Sequence, residues 1–125
     1  MKRDNSRLYD KKMSFITKTL RNIFATEIQN DDVIHGNAIV TISNIFPLDR
    51  CKLLKVYVSV LTLNKNNDHS FYIDYLNKHR SAIRLTFGNK LADKIRFVPD
   101  IQFYYDDTYD NIKKVKDIMS KIGTY

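Results

Sequence analysis

Lys78, Arg80, Arg84, Lys90, Lys94 and Arg96 place six cations in a stretch of chain where Asp93 is the one acid. Ammonium and guanidinium groups at that density suit phosphates. Each contact releases a counterion, so any nucleic-acid affinity they supply should fall as salt rises. A second group, Arg7, Lys11, Lys18 and Arg21, lies near the N-terminus. Residues 1–21 and 77–97 each carry a net +5, which leaves −3 for the remainder of a chain of formal charge +7. Solvated helix faces also consist of such residues. The scarcity of offsetting acid favours phosphate contact in the later segment, while the N-terminal group is read as either a secondary RNA surface or a face that only keeps the protein hydrated.

Other chemistry lacks its residues. There is no G-x-x-x-x-G-K-[ST] or G-x-G-x-x-G phosphate loop, no H-E-x-x-H, no C-x-x-C and no G-x-S-x-G. His35, His69 and His79 are spaced for no metal, and Cys51 is the one cysteine, which excludes an internal disulfide. The acid pairs Asp31-Asp32 and Asp106-Asp107 fall where turns and helix caps use carboxylates. The reading is therefore of no catalytic residue, no metal, no cofactor and no small-molecule substrate.

The elements that must position the cations follow from hydrophobic period. In a chain of 125 residues, 43% of them apolar, one domain spanning residues 1–125 can bury a sizeable core. Residues 6–28 read as an amphipathic helix with Tyr9, Met13, Ile16, Leu20, Ile23 and Phe24 on one stripe and Arg7, Lys11, Ser14, Lys18 and Arg21 opposite. After a polar loop over 29–37, residues 38–45 alternate as a strand that Pro47 should end. A second strand over 53–61 turns Leu54, Val56, Val58 and Val60 inward and pairs with the first in antiparallel fashion. Cys51 opens it. Ser70 is a natural N-cap for a helix that is interrupted around His79-Arg80-Ser81, resumes, and is broken again at Gly88-Asn89. A third strand over 95–105 has Pro99 at an edge or near its start. Residues 107–122 form a short amphipathic helix, stopped by Gly123. The longest apolar run, residues 53–63, is interrupted by Lys55, Ser59 and Thr62 and is too short for the roughly 20 residues of a membrane span. The N-terminus lacks a secretory h-region, so a cytoplasmic protein with no membrane partner is expected.

The order α-β-β-α-α-β-α describes an α+β fold with helices over one face of a three-stranded sheet, and it is that of a type II KH domain followed by a C-terminal helix. Two stretches resemble the ribosome-binding factor A family of bacteria. Ile83-Arg-Leu-Thr-Phe-Gly88 followed by Ile95-Arg-Phe-Val-Pro-Asp-Ile-Gln-Phe-Tyr-Tyr-Asp106 is similar to that family's most specific signature. Ile39-Val-Thr-Ile-Ser-Asn-Ile45 and Lys55-Val-Tyr-Val-Ser59 resemble its first two strands. Where the family usually has Ala-x-Gly between its helices, this chain has His79-Arg80-Ser81. The resemblance implies a type II KH-like assembly factor without catalysis. Such a factor binds the precursor of the small ribosomal subunit and its ribosomal RNA, assists maturation of the RNA 5′ end and supports growth in the cold. The expected RNA-contacting set is Lys78, Arg80, Ser81, Arg84, Lys90, Lys94 and Arg96 in a monomer. A general single-stranded RNA module, against which the missing G-x-x-G loop speaks, and a protein-interaction domain are the alternatives.

Overall fold

A computed structural model describes residues 2–64, 66–91 and 94–121. Helix α1 (Lys2–Ile23) ends in a π-helical turn (Phe24–Ile28). Strands β1 (Ala38–Leu48) and β2 (Leu53–Thr62) follow, then helices α2 (His69–Lys78) and α3 (Arg80–Leu91), strand β3 (Asp100–Tyr105) and helix α4 (Thr108–Lys121). The sheet order is β1-β2-β3, with β1 antiparallel and β3 parallel to β2. This is the expected α+β arrangement, with the α2–α3 pair as the crossover that a parallel neighbour requires.

One sheet face is apolar because the strands alternate. Val40, Ile42, Leu54, Val56, Val58, Ile101 and Phe103 are buried against Ile16, Leu20, Phe24, Tyr72, Leu76 and Phe87 from the helices. Met13 and Val60, expected in the core, are only partly buried, and the side chain of Tyr9 lies outside the described residues. The other sheet face carries a ring series across all three strands. Phe46 meets Tyr57 edge-on at 5.6 Å, Tyr57 stacks on Tyr104 at 5.5 Å, and the Lys55 ammonium sits 5.2 Å from the Tyr104 centroid.

Several boundaries differ from the sequence expectation. Pro47 does not end β1: it pairs with Leu54, which is tolerated because β1 has a neighbour on one side only. A bulge between Ile42 and Asn44 leaves Ser43 out of the strand ladder and returns Ile45 to the inner side. Cys51 does not open β2 but lies buried in the preceding turn, its sulfur 3.8 Å from that of Met13. Asp49, Arg50 and Cys51 all have positive φ there. The N-cap of α2 is Asp68 rather than Ser70: its carboxylate accepts from the Ser70 hydroxyl at 2.7 Å and the Phe71 N–H at 3.2 Å, and these donors hold its pKa below the usual value. Gly88 and Asn89 do not break α3, which runs on to Leu91, and the glycine leaves room for the Val98 side chain. A Cβ on Gly88 would lie 3.1 Å from Val98 Cγ2. Strand β3 begins at Asp100, five residues later than expected, since residues 95–99 instead cross the end of α3. Ile122 and Gly123, the expected end of α4, lie outside the described residues.

Two side-chain amides bind strand backbone. Gln29 donates to the Ala38 carbonyl at 2.8 Å and accepts from the Val40 N–H at 3.0 Å. Asn77 does the same to Phe103, at 2.9 Å in both directions. They thereby satisfy groups of β1 and β3 that no strand reaches.

Candidate nucleic-acid interface

The kink that sets the site is small. His79 leaves the helical region with φ −101° and ψ 13°, while its N–H still reaches the Tyr75 and Leu76 carbonyls at 3.1 and 3.2 Å. The Ile83 N–H in turn reaches the His79 carbonyl at 3.1 Å. Only His79 interrupts the pair, so Arg80 and Ser81 stand in the first turn of α3, exposed to solvent.

One face of α3 and the segment leading into β3 enclose an open hollow of about 730 Å³, lined among others by Arg80, Ser81, Arg84, Arg96 and Phe97. Arg84 builds its wall. The guanidinium is half-buried and donates from Nε to the Pro99 carbonyl at 3.2 Å and from Nη2 to the Val98 carbonyl at 2.7 Å, tying helix to segment. Gly88 permits the close approach on which that tie depends. Arg80 and Arg96 are exposed and have no hydrogen-bond or ion-pair partner among the described residues, so their donors remain available for phosphate oxygens.

The expected set is therefore divided by the structure. Arg80, Ser81, Arg84 and Arg96 share the hollow, with Arg84 committed to backbone carbonyls. Lys78 and Lys90 are exposed but do not line it. Lys94 turns towards α1, its ammonium 4.8 Å from the Phe15 ring centroid. Of the secondary set, Lys11, Lys18 and Arg21 are exposed on the outer side of α1. Lys18 and Arg21 border a separate hollow of about 600 Å³ against Ile45 and Pro47 of β1. The side chain of Arg7, like Asp93, lies outside the described residues.

Two apolar members of the main hollow escaped the reading by charge. Leu85 is 68% exposed and Phe97 54% exposed, both beside the arginines. Their signal was an apolar residue on the wet side of a helix and an aromatic next to Arg96. A ring beside guanidinium groups can stack an unpaired base while the cations take its phosphates. Among the described residues no three His, Cys, Asp or Glu side chains gather as they would around a metal, and no helix is long and apolar enough to cross a membrane.

The sequence profile of the ribosome-binding factor A family matches residues 9–119. A ribosome-binding factor A from Cytophaga hutchinsonii is 26% identical over 107 residues, covering 86% of this chain and 76% of that protein. One from Rhizobium leguminosarum is 32% identical over 89 residues, 71% of this chain and 63% of its own length. The crystal structure of ribosome-binding factor A from Thermus thermophilus superposes with a TM-score of 0.54 at 16% identity, covering 74% of this chain and 93% of that one. At that identity the likeness speaks for the KH-like fold alone.

Proposed function

The chain belongs to the ribosome-binding factor A family, and from that premise we propose that it is an assembly factor of the small ribosomal subunit. It binds the precursor subunit, contacts the ribosomal RNA through Arg80, Arg96 and the exposed ring of Phe97, and assists maturation of the RNA 5′ end. It acts as a monomer and a single domain in the cytoplasm, with no cofactor and no bond-breaking step of its own. Lys78, Lys90 and Lys94, with Lys11, Lys18 and Arg21, add longer-range attraction for the phosphate backbone.

The observation that carries this reading is the convergence of two uncommitted guanidinium groups and an exposed aromatic ring on one hollow of a +7 chain. The mechanism is differential binding. A surface that fits one RNA conformer raises that conformer's population by the difference in affinity between conformers, and it ceases to bind when maturation removes the preferred one.

Co-sedimentation of the purified protein with precursor and mature small subunits, across a salt series, tests it. Retention on the precursor that declines with salt is expected. Equal retention on both subunits would remove the assembly role and leave a general RNA-binding module. Absence from both, with the protein folded, would point to a protein-interaction domain.

A further inference from the structure

The kinked helix pair has a second concave side. Facing away from Arg80, Ser81 and Arg84, residues Tyr75, His79, Ala82, Ile83 and Thr86 border a hollow of about 300 Å³, closed on its far side by the π-helical turn and the loop after it. Its floor is apolar: Ile23, Ile34, Leu76 and Ile83 are buried beneath it. Its rim is acidic. Glu27 is exposed, Asp31 is half-buried, and Asp32 is exposed beside them. The Asp31 carboxylate accepts from the Tyr75 hydroxyl at 2.7 Å and the Val33 N–H at 3.0 Å, which fixes its place on the rim. Tyr75 and His79 form an aromatic wall, with ring centroids 4.5 Å apart.

This corner is acidic in a chain that is basic overall. A chain with 21 lysines and arginines has none between Arg21 and Arg50, while Glu27, Asp31 and Asp32 of that span stand at or beside the rim. Apolar floor, aromatic wall and carboxylate rim match the three parts of one side chain: an alkyl stem, a flat cation and its donors. The volume is at the small end of ligand pockets, suiting one long side chain rather than a whole metabolite.

We propose that this hollow is a docking notch for an arginine-bearing segment of a basic protein. The arginine stem lies on Ile23 and Ile28, its guanidinium faces the Tyr75 and His79 rings, and Glu27 and the outer oxygen of Asp31 accept its N–H groups. The inference goes beyond the RNA reading and does not depend on it. Helix α3 then stands between two partners, with polyanion on the Arg80 side and a polycationic protein segment on the His79 side.

The test is an NMR titration of the 15N-labelled full chain with the tripeptide acetyl-Leu-Arg-Leu-amide, with acetyl-Leu-Glu-Leu-amide as control. Saturable shifts confined to the amides of residues 27–34 and 79–86 are expected with the arginine peptide at millimolar concentration. Glu27→Gln, an exposed change on the rim, should weaken binding about fivefold and leave the rest of the spectrum in place. The proposal is overturned by the absence of saturable shifts, by equal response to the glutamate peptide, by shifts centred on Arg96 and Phe97, or by no loss in Glu27→Gln. Because no RNA is present, failure here is distinct from failure of the ribosomal reading.

Discussion

Arg80 and Arg84 sit one helical turn apart and have different roles. Arg84 Nε and Nη2 bind two carbonyls that would otherwise need other donors. Arg84→Ala should therefore lower stability by about 1–3 kcal/mol in a denaturant titration. Arg80→Ala, which removes an exposed and uncommitted cation, should leave stability within ~0.5 kcal/mol and reduce the salt slope of RNA binding by about one unit. Tyr72 presents the reverse case. Its ring is fully buried in the core, and among the described residues its hydroxyl has no hydrogen-bond partner. Tyr72→Phe removes that polar group without opening a cavity the size of the ring, so the melting temperature should stay level or rise. At Tyr75 the hydrogen bond to Asp31, and then desolvation, push the phenol pKa up to about 12 from 10.0. The native state thus keeps a proton that the unfolded chain releases, so the bond's contribution is present in full below pH 10 and is lost as pH rises towards 12. Wild type should lose stability more steeply than Tyr75→Phe across that window, as read from paired denaturation curves.

At the scale of elements, Asn77 joins the last turn of α2 to the middle of β3 through both its amide atoms. Asn77→Ala leaves the Phe103 N–H and carbonyl without that partner and should cost about 1–3 kcal/mol, measured as a shift in the urea midpoint. No pattern in the sequence announces such a pairing, because it depends on where β3 lies in space. What the sequence did show was period: β1 and β2, the two helices divided near His79, and the inward Leu54, Val56 and Val58 are all legible as alternation or helical stripe. It failed where position in the sheet or close packing decides. Pro47 is acceptable only because β1 is outermost, and Gly88 reads as a breaker until Val98 is seen against it. Ile95 and Phe97 read as strand, yet that segment is held to α3 by Arg84 instead. Charge density found the region of the candidate interface, but charge cannot tell a committed guanidinium from a free one, and so it grouped Arg84 and Lys94 with Arg80 and Arg96.

At the scale of the molecule, the helices cover one sheet face and α4 stands apart. Ile112, Val115 and Ile118 are exposed on it, and among the described residues α4 packs against no other element. Ending the chain after Asp107 should therefore move the melting temperature by no more than about 2 °C, whereas a helix docked on the core would cost far more. A sheet of three strands also has two margins, and each meets a single carboxamide: Gln29 at Ala38 and Val40, Asn77 at Phe103. A carboxamide carries N–H donors and a carbonyl acceptor on a short stem, the two kinds of group that an incoming peptide strand would offer. Each thus imitates a fourth strand one residue long and then stops, since a side chain presents no further backbone to extend the ladder. On a protein whose other sheet face bears Phe46, Tyr57 and Tyr104, these two residues occupy backbone groups at each margin that an added strand would need to begin pairing.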